Sequence, residues 1–491
     1  VELSKSIGVF GYGASIVIED SEVRDIDANQ DGAFGQGIRV FDDDNGVSSA
    51  LTVRRSRIER VHGGGIQGFG SEVFVEDTVV RDVQPGTGIE TYGCGIMTVR
   101  INDMVAVPSL TVSGAYVERT HLAGIFGANG DVTVERSVVR DVESLEGIHS
   151  GSGIALIGAN RLRGGQLTAR AVVTEGTHLY GIIAGNGGGV VESAIVRDTI
   201  PFDPADAFGP GNVNVAGRGI GVESYEGSAG GYVLEIRGSR IERTHEMGVG
   251  AIGGDVVVTS TLVSEVASRV TDGYMGRGIN VQPNYDGGGG ASATIRESLI
   301  ERTHENGIAI AEASATIDST WVRDTLSSGD GHFGRGISAQ GYYYGGQPAQ
   351  VTVTRTLVED NADVGIMAAA ADITIEHSIV RRTRANDNDF FGDGTSALTL
   401  VRGAEVRVAR VAIAHSIMAE NQRAGVGAFG AAFSLQDVLL DCNGIDLNGD
   451  AVEGVAFVFE DLGQNVCACG PDLRICKATS AGLAAPTPSG L

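Results

Sequence analysis

Lysine is almost missing from this chain: among 491 residues it stands only at Lys5 and Lys477. With 36 basic against 62 acidic residues and a formal net charge of −26, the chain lacks the cations that neutralise phosphates, which excludes nucleic acid as a partner. The same acidity repels a polyanionic polysaccharide unless cations bridge the two. Long apolar runs are missing too, so no membrane span is expected. Proline is scarce, at 10 residues, and the 74 glycines follow no Gly-X-Y period, which excludes both collagen and proline-rich disorder. No stretch holds a helical period long enough for a helix.

Cysteine is rare and unevenly placed. Cys94 stands alone, while Cys442, Cys467, Cys469 and Cys476 crowd the last fifty or so residues. In an acidic, nearly lysine-free repeat protein these four read as disulfides stapling a cap in an oxidising compartment. A metal knot is the rival reading, but the C-x24-C-x-C-x6-C spacing fits no common zinc pattern. No signal peptide is visible, so the start is read as a mature or trimmed end, and a secreted or cell-surface location is inferred from the cysteines.

What is present is one sentence, repeated. Residues 293–308 read ATIRESLIERTHENGI, with close copies beginning at 51, 110, 167, 234, 351 and 411. A related sentence, SIVIEDSEVRD at 15–25, falls between the copies, so each unit of about 59 residues holds a tight coil and a loose one with a long loop. Within a coil the apolar residues alternate with polar ones in short runs bounded by glycine, as Leu51, Val53 and Ile58 do. The expected fold is all-β: a parallel β-helix of about fifteen coils in seven two-coil repeats, right-handed because parallel crossovers favour that hand.

Aligned coils expose columns of side chains. One reads Asp25, Arg60, Asp82, Arg119, Asp141, and its neighbour reads Arg24, Glu59, Arg81, Glu118, Arg140, with the sign alternating at nearly every step. Stacked one strand spacing apart, each charge is expected to have opposite charges above and below it, which fixes register. His62, His121, His178, His245 and His304 recur every second coil, too far apart to share a metal, and read as corner residues. A hydroxyl column (Ser56, Thr78, Ser137, Ser239 and others) reads as a packing device. Chemistry needs one site and a ladder needs many, so the VRD and ERTH residues are assigned to structure.

The string apolar-x-apolar-x-x-S-x-[IV]-x-x-T-x-x-x-G-[IV], seen at 234–249 and 293–308, resembles the right-handed parallel β-helix repeat proteins of the pectin-lyase-like superfamily. The resemblance covers roughly 10–445 and implies the fold; the superfamily holds lyases, glycoside hydrolases, adhesins and fibres, so it leaves the activity open. Its hydrolases carry paired aspartates with Asn-Thr-Asp and His-Gly motifs; here His62-Gly63 is present and Asn-Thr-Asp is not. Its lyases use Arg or Lys as base beside calcium-binding carboxylates, and the repeat body has no lysine.

Function beyond scaffolding is expected in the loops of the loose coils, which vary while the coils repeat. Asp27, Asn29 and Asp31 begin a D-x-N-x-D-G calcium-type loop, and Asp446, Asn448 and Asp450 form a similar cluster; calcium is the one cofactor the sequence suggests. An Asx-rich turn is the plain alternative. Tyr225, Tyr285 and Tyr342 recur after successive Gly-Ile pairs and are candidates for stacking on carbohydrate, against a plain role covering the sheet. The domains expected are the β-helix with its N-terminal cap at 1–445, a Cys-rich cap at 446–478 and a flexible Pro/Ser/Ala tail at 479–491. The expected function is a structural or adhesive surface protein that binds polysaccharide or other surface proteins through the loop flank without catalytic residues. A polysaccharide lyase or glycoside hydrolase with its active site in those loops is the alternative.

Overall fold

The structure is a computed structural model. It describes all residues except 1, 5, 30–33, 44–46, 87–91, 101–106, 146–149, 159–164, 202–216, 226–230, 285–289, 342–345 and 490–491. The chain divides into two compact units, Val1–His245 and Glu246–Leu491.

In the first unit each coil is three short strands, as in Gly64–Phe69, Glu72–Glu76 and Val79–Gln84. The opening strands of successive coils pair in parallel and in register, so that Ile38, Ile66, Ile96, Ile125, Ile154, Ile182 and Ile220 form one column inside the coil. All seven are fully buried, and β-branched side chains suit such a pleated, packed surface. The second and third strands make their own parallel stacks, for example Leu51 on Val73 and Val73 on Leu110. This is a parallel β-helix, and the crossover rule gives it its right hand.

The second unit repeats the plan. Val249, Ile279, Ile308, Ile337 and Ile366 continue in register up its own opening-strand sheet, from Met247–Ile252 to Ile445–Asp450. Stacking runs on past residue 445, since Val458–Asp461 and Val466–Cys469 both pair in parallel with Ala432–Asp441. Disulfides Cys442–Cys469 and Cys467–Cys476 staple that last coil, and Asp472–Arg474 folds back antiparallel on its edge. Cys94 is a buried free thiol whose pKa burial pushes up to about 12, so it is inert packing.

Corners are made by single residues in the left-handed region. The ladder column sits there throughout, as at Asp25 (φ 58), Arg60 (φ 52), Asp82 (φ 55) and Arg119 (φ 50). Where the column lacks a charge it holds Gly176, at φ 63.

Candidate functional site

The recurring charges are structural, but their wiring differs from the expectation. Arg119 puts Nε and Nη2 on both oxygens of Asp82, at 2.6 and 3.1 Å, and turns Nη1 sideways to Glu118 at 2.7 Å instead of reaching up to Asp141. Glu118 then takes Arg140 at 2.7 Å, and Arg140 approaches Asp141 at 3.7 Å. Below, Asp25, Arg60, Glu59, Arg81 and Asp82 join in the same order. The network is a zigzag between two columns, because a guanidinium fork spent on one carboxylate has only one nitrogen left for another. The arginine hydrogen bond holds the Asp82 carboxyl below the usual range, as Arg243 does for Asp198.

The histidines and hydroxyls are corner residues as expected. His121 and His304 face the carbonyls of Val83 and Val266 in the coil below, at 3.0 and 2.9 Å. Ser137 Oγ donates to the Glu135 carbonyl at 2.7 Å and accepts from the Ala115 N–H at 3.1 Å, tying two coils together.

The residues singled out for ligands are scattered or already engaged. Asp27 is exposed and Asn29 half-buried, while Asp31 lies outside the described residues. Burial raises the Asp446 pKa, and Asn443 Nδ2 stands 3.5 Å from its carboxylate. Asp450 accepts from the Ser480 hydroxyl and from the Gly482 and Leu483 N–H groups, at 2.6, 3.2 and 3.1 Å. Asn448 donates to Asp450 at 2.9 Å and accepts from the Ala481 N–H. Burial alone would raise the Asp450 pKa, but these hydrogen bonds outweigh it and hold it low. No three metal-binding side chains gather among the described residues. Tyr225 lies against Gly185 with its N–H on Asn186 Oδ1, and burial pushes its phenol pKa up. Tyr285 and Tyr342 lie outside the described residues.

The chemistry-rich surface is one that the sequence reading passed over: the outward face of the opening-strand sheet in the second unit. At the Gly276-Arg277-Gly278 entry, Gly276 has φ 93 and a Cβ there would lie 2.6 Å from His304 Cβ. Gly278 faces inward with Ile300 and the Gly307 carbonyl against it, so the arginine between them turns outward. The same arrangement recurs at Gly334-Arg335-Gly336. Although outward, these arginines are completely buried.

Each is met by a carboxylate from the start of the next coil. Arg277 donates to Glu305 through Nε and Nη2, at 2.9 and 2.5 Å, and to Asn280 Oδ1 at 2.8 Å; Asn280 passes the chain on to Gln282. Arg335 Nε donates to Asp363 Oδ2 at 2.6 Å, and Asn386 from the neighbouring loop donates to the other oxygen. Further up, Asp393 accepts from Arg423 Nε at 2.7 Å and from the Ser396 hydroxyl at 2.6 Å. Taking such pairs out of water is costly unless every lone pair is met. Here some are not: Arg335 Nη1, Ser338 Oγ and Asn306 Oδ1 are buried without a hydrogen-bond partner among the described residues. Asn306 and Arg335 are register neighbours, and Ser338 lies one position before Ala339 of the core, on the other side of the strand. Three orphaned polar atoms, two able to donate and two able to accept, thus lie on two adjacent strands of this outward face.

The segment read as a flexible end, 479–491, is placed by the structure, as far as Ser489, along this same face. Gly449 N–H donates to the Thr479 carbonyl and Arg423 Nη1 to that of Ala484, each at 2.9 Å. Arg335 Nη2 reaches the Thr487 carbonyl, and Gln340 the Ser489 hydroxyl. Leu483 and Ala485 pack on Met367, Leu398 and Phe429. The chain segment is held because its polar groups and the apolar Leu483, Ala485 and Pro486 are covered by groups that precede it in sequence. One signal for the pairs was legible: in the second unit the arginine of each of the two Gly-Arg-Gly-Ile strings is followed one coil on by an acid just before the Gly-Ile pair, Glu305 or Asp363.

No family model matches the sequence, and no curated protein matches it. Solved structures do. A periplasmic alginate epimerase, AlgG, is similar with a TM-score of 0.43 and 11% identity, over 77% of this chain and 77% of that one. Pectate lyase Pel9A matches with a TM-score of 0.33 and 11% identity, over 72% and 70%. The Dettilon tailspike protein matches with a TM-score of 0.33 and 12% identity, over 86% and 64%. Likeness at this level concerns the coil architecture and assigns no chemistry to this chain.

Proposed function

We propose that this chain is a secreted β-helical scaffold that binds neutral, hydroxyl-rich glycan on the outward face of the opening-strand sheet of its second unit. The observation that carries the reading is that Arg335 Nη1, Ser338 Oγ and Asn306 Oδ1, on adjacent strands of one outward face, are buried without partners among the described residues. A sugar hydroxyl both donates and accepts, so the hydroxyls of a glycan can meet such a mixed set, which an apolar group cannot.

Charge selects the class. The three arginines of the face are already matched by Glu305, Asp363 and Asp393, so no net cation is left to draw an acidic polysaccharide to a chain of net charge −26. The same matching favours binding over turnover: these carboxylates are tied to arginine forks, whereas a glycosidase needs one of its pair to hold a proton. The two disulfides support an oxidising, extracellular setting.

The test is calorimetry with neutral and acidic oligosaccharides, alongside assays for reducing-sugar and double-bond release. Binding of a neutral glycan that weakens at least tenfold in Ser338→Ala/Asn306→Ala is the expected result, without product. Product release from any glycan, or binding confined to acidic ones, overturns the reading.

A second surface has its own observation. A shallow groove of about 750 Å³ on the second-strand face of the same unit is lined by Thr294, Thr316, Thr352 and Thr374, consecutive in register. If Thr316→Val/Thr352→Val abolishes binding and the Ser338 variant does not, the glycan sits there instead.

A further inference from the structure

The glycan face is occupied by part of the chain itself. We propose that residues 479–489 form a displaceable strap, competing in cis with glycan for the face built by Arg335, Ser338 and Asn306; this rests on the binding reading above.

Three features point to exchange, not to permanent closure. First, the strap is gripped mostly through its backbone. Asp450 takes the Gly482 and Leu483 N–H groups, Arg423 the Ala484 carbonyl, and Arg335 the Thr487 carbonyl. Contacts of that kind do not depend on strap side chains and are reproduced by any extended chain rich in donors and acceptors. Second, its burial is discontinuous. Leu483 and Ala485 are only partly buried against the cluster of Met367, Leu398 and Phe429, Pro486 and Ser489 are buried, and residues 481, 482, 484, 487 and 488 stay exposed. The ordering entropy of such a segment offsets much of what a short list of hydrogen bonds and a few such contacts contribute.

Third, the strap fits the face incompletely. Arg335 spends Nη2 on Thr487, yet among the described residues its Nη1 has no partner and Ser338 Oγ, on the strand beneath, has none. An occupant for which the face was shaped would satisfy these atoms. Pro486 and Pro488 keep the segment extended, so it re-docks with little loss of freedom when the glycan leaves. Being tethered, the strap acts at an effective concentration on the order of millimolar, enough to mask a weak site.

Three proteins test this: the full chain, the chain ending at Ala478, and full-length Asp450→Ala, which loosens the strap at its root. Each is titrated calorimetrically with neutral hexasaccharides of β-glucose and with polygalacturonate, after its β-sheet circular dichroism has been matched to the parent. The expected result is neutral-glycan affinity raised about tenfold or more by truncation and part-way by Asp450→Ala, with a synthetic 479–491 peptide restoring the weak affinity in trans. Equal affinity in all three overturns the strap and leaves the binding reading standing. No binding by any of the three, all folded, overturns the binding reading and the strap with it. Should truncation prevent folding, Asp450→Ala decides the outcome alone, an unchanged affinity counting against the strap.

Discussion

The molecule uses alternating arginine and carboxylate twice, in opposite surroundings. On the corner of the coils the pairs lie open: Arg119 and Asp82 keep 43% and 31% of their side-chain surface in water. On the outward face of the second unit's opening sheet, Arg277 and Glu305 keep 0% and 1%. Geometry is equally good in both places, yet the consequences differ. An exposed pair adds about 0.2–1 kcal/mol and works by repetition, penalising every slipped register a little. A buried pair contributes little net stability, but losing one member strands a charge in a dry place. The first arrangement suits a scaffold that must count its coils. The second suits a place where polar groups are held rigidly against something.

The sharpest way to break this contrast is Glu305→Ala. It takes the carboxylate from the buried Arg277, and should cost about 3–5 kcal/mol in urea denaturation of the second unit's transition. A double Arg277→Met/Glu305→Leu, which removes both charges, should recover most of that loss. If the single variant costs no more than an exposed pair, the two networks are not different in kind.

Between the extremes stands the hydroxyl column. Ser137→Ala removes the acceptor for the buried Ala115 N–H and should cost about 1–2 kcal/mol, unaffected by salt. Arg119→Ala, on the open corner, should cost under about 1 kcal/mol, and 1 M salt should erase most of that difference. A salt-insensitive loss of several kcal/mol at Arg119 would mean that the corner network behaves as a buried one.

Acid probes the open network most gently. Hydrogen bonds from Arg119, Arg243 and Arg382 hold Asp82, Asp198 and Asp360 below their unfolded value. A carboxyl depressed in the folded state binds fewer protons there than in the unfolded chain. Its stabilisation is therefore complete above about pH 4 and is lost as pH falls through the depressed value. Denaturation midpoints should hold level from pH 7 to about 4 and then decline. Carbon-detected NMR of Asp82 should show its titration moving up toward the ordinary range in Arg119→Met. A midpoint that rises on acidification would contradict the assignment.

The coil plan was legible because a β-helix writes its geometry into a period. A column such as Ile66, Ile96 and Ile125 recurs once per coil, as the hydroxyl column largely does, and the corner histidines recur every second coil. Column identity therefore follows from alignment alone. The direction of each ion pair did not, since it depends on where one guanidinium fork is already spent. The candidate site was less legible still. Its arginines sit inside Gly-Arg-Gly-Ile strings that look like ordinary coil entries, and nothing local tells a buried outward face from a wet one. The tyrosines and acidic loops drew attention because their residue types advertise chemistry, whereas the orphaned atoms belong to Ser338, Asn306 and an arginine of common type.

By itself the sequence determined the fold, the two-coil repeat, the alternating charges and the cysteine cluster of the cap, because each is a relation between residues about one coil apart or within one short segment. Only the tertiary structure decided that one sheet face is closed over, and that the Thr487 carbonyl meets Arg335 across 152 positions. No period links such distant groups. A contact between them exists only once the stacked coils have put a face there for the strap to cross.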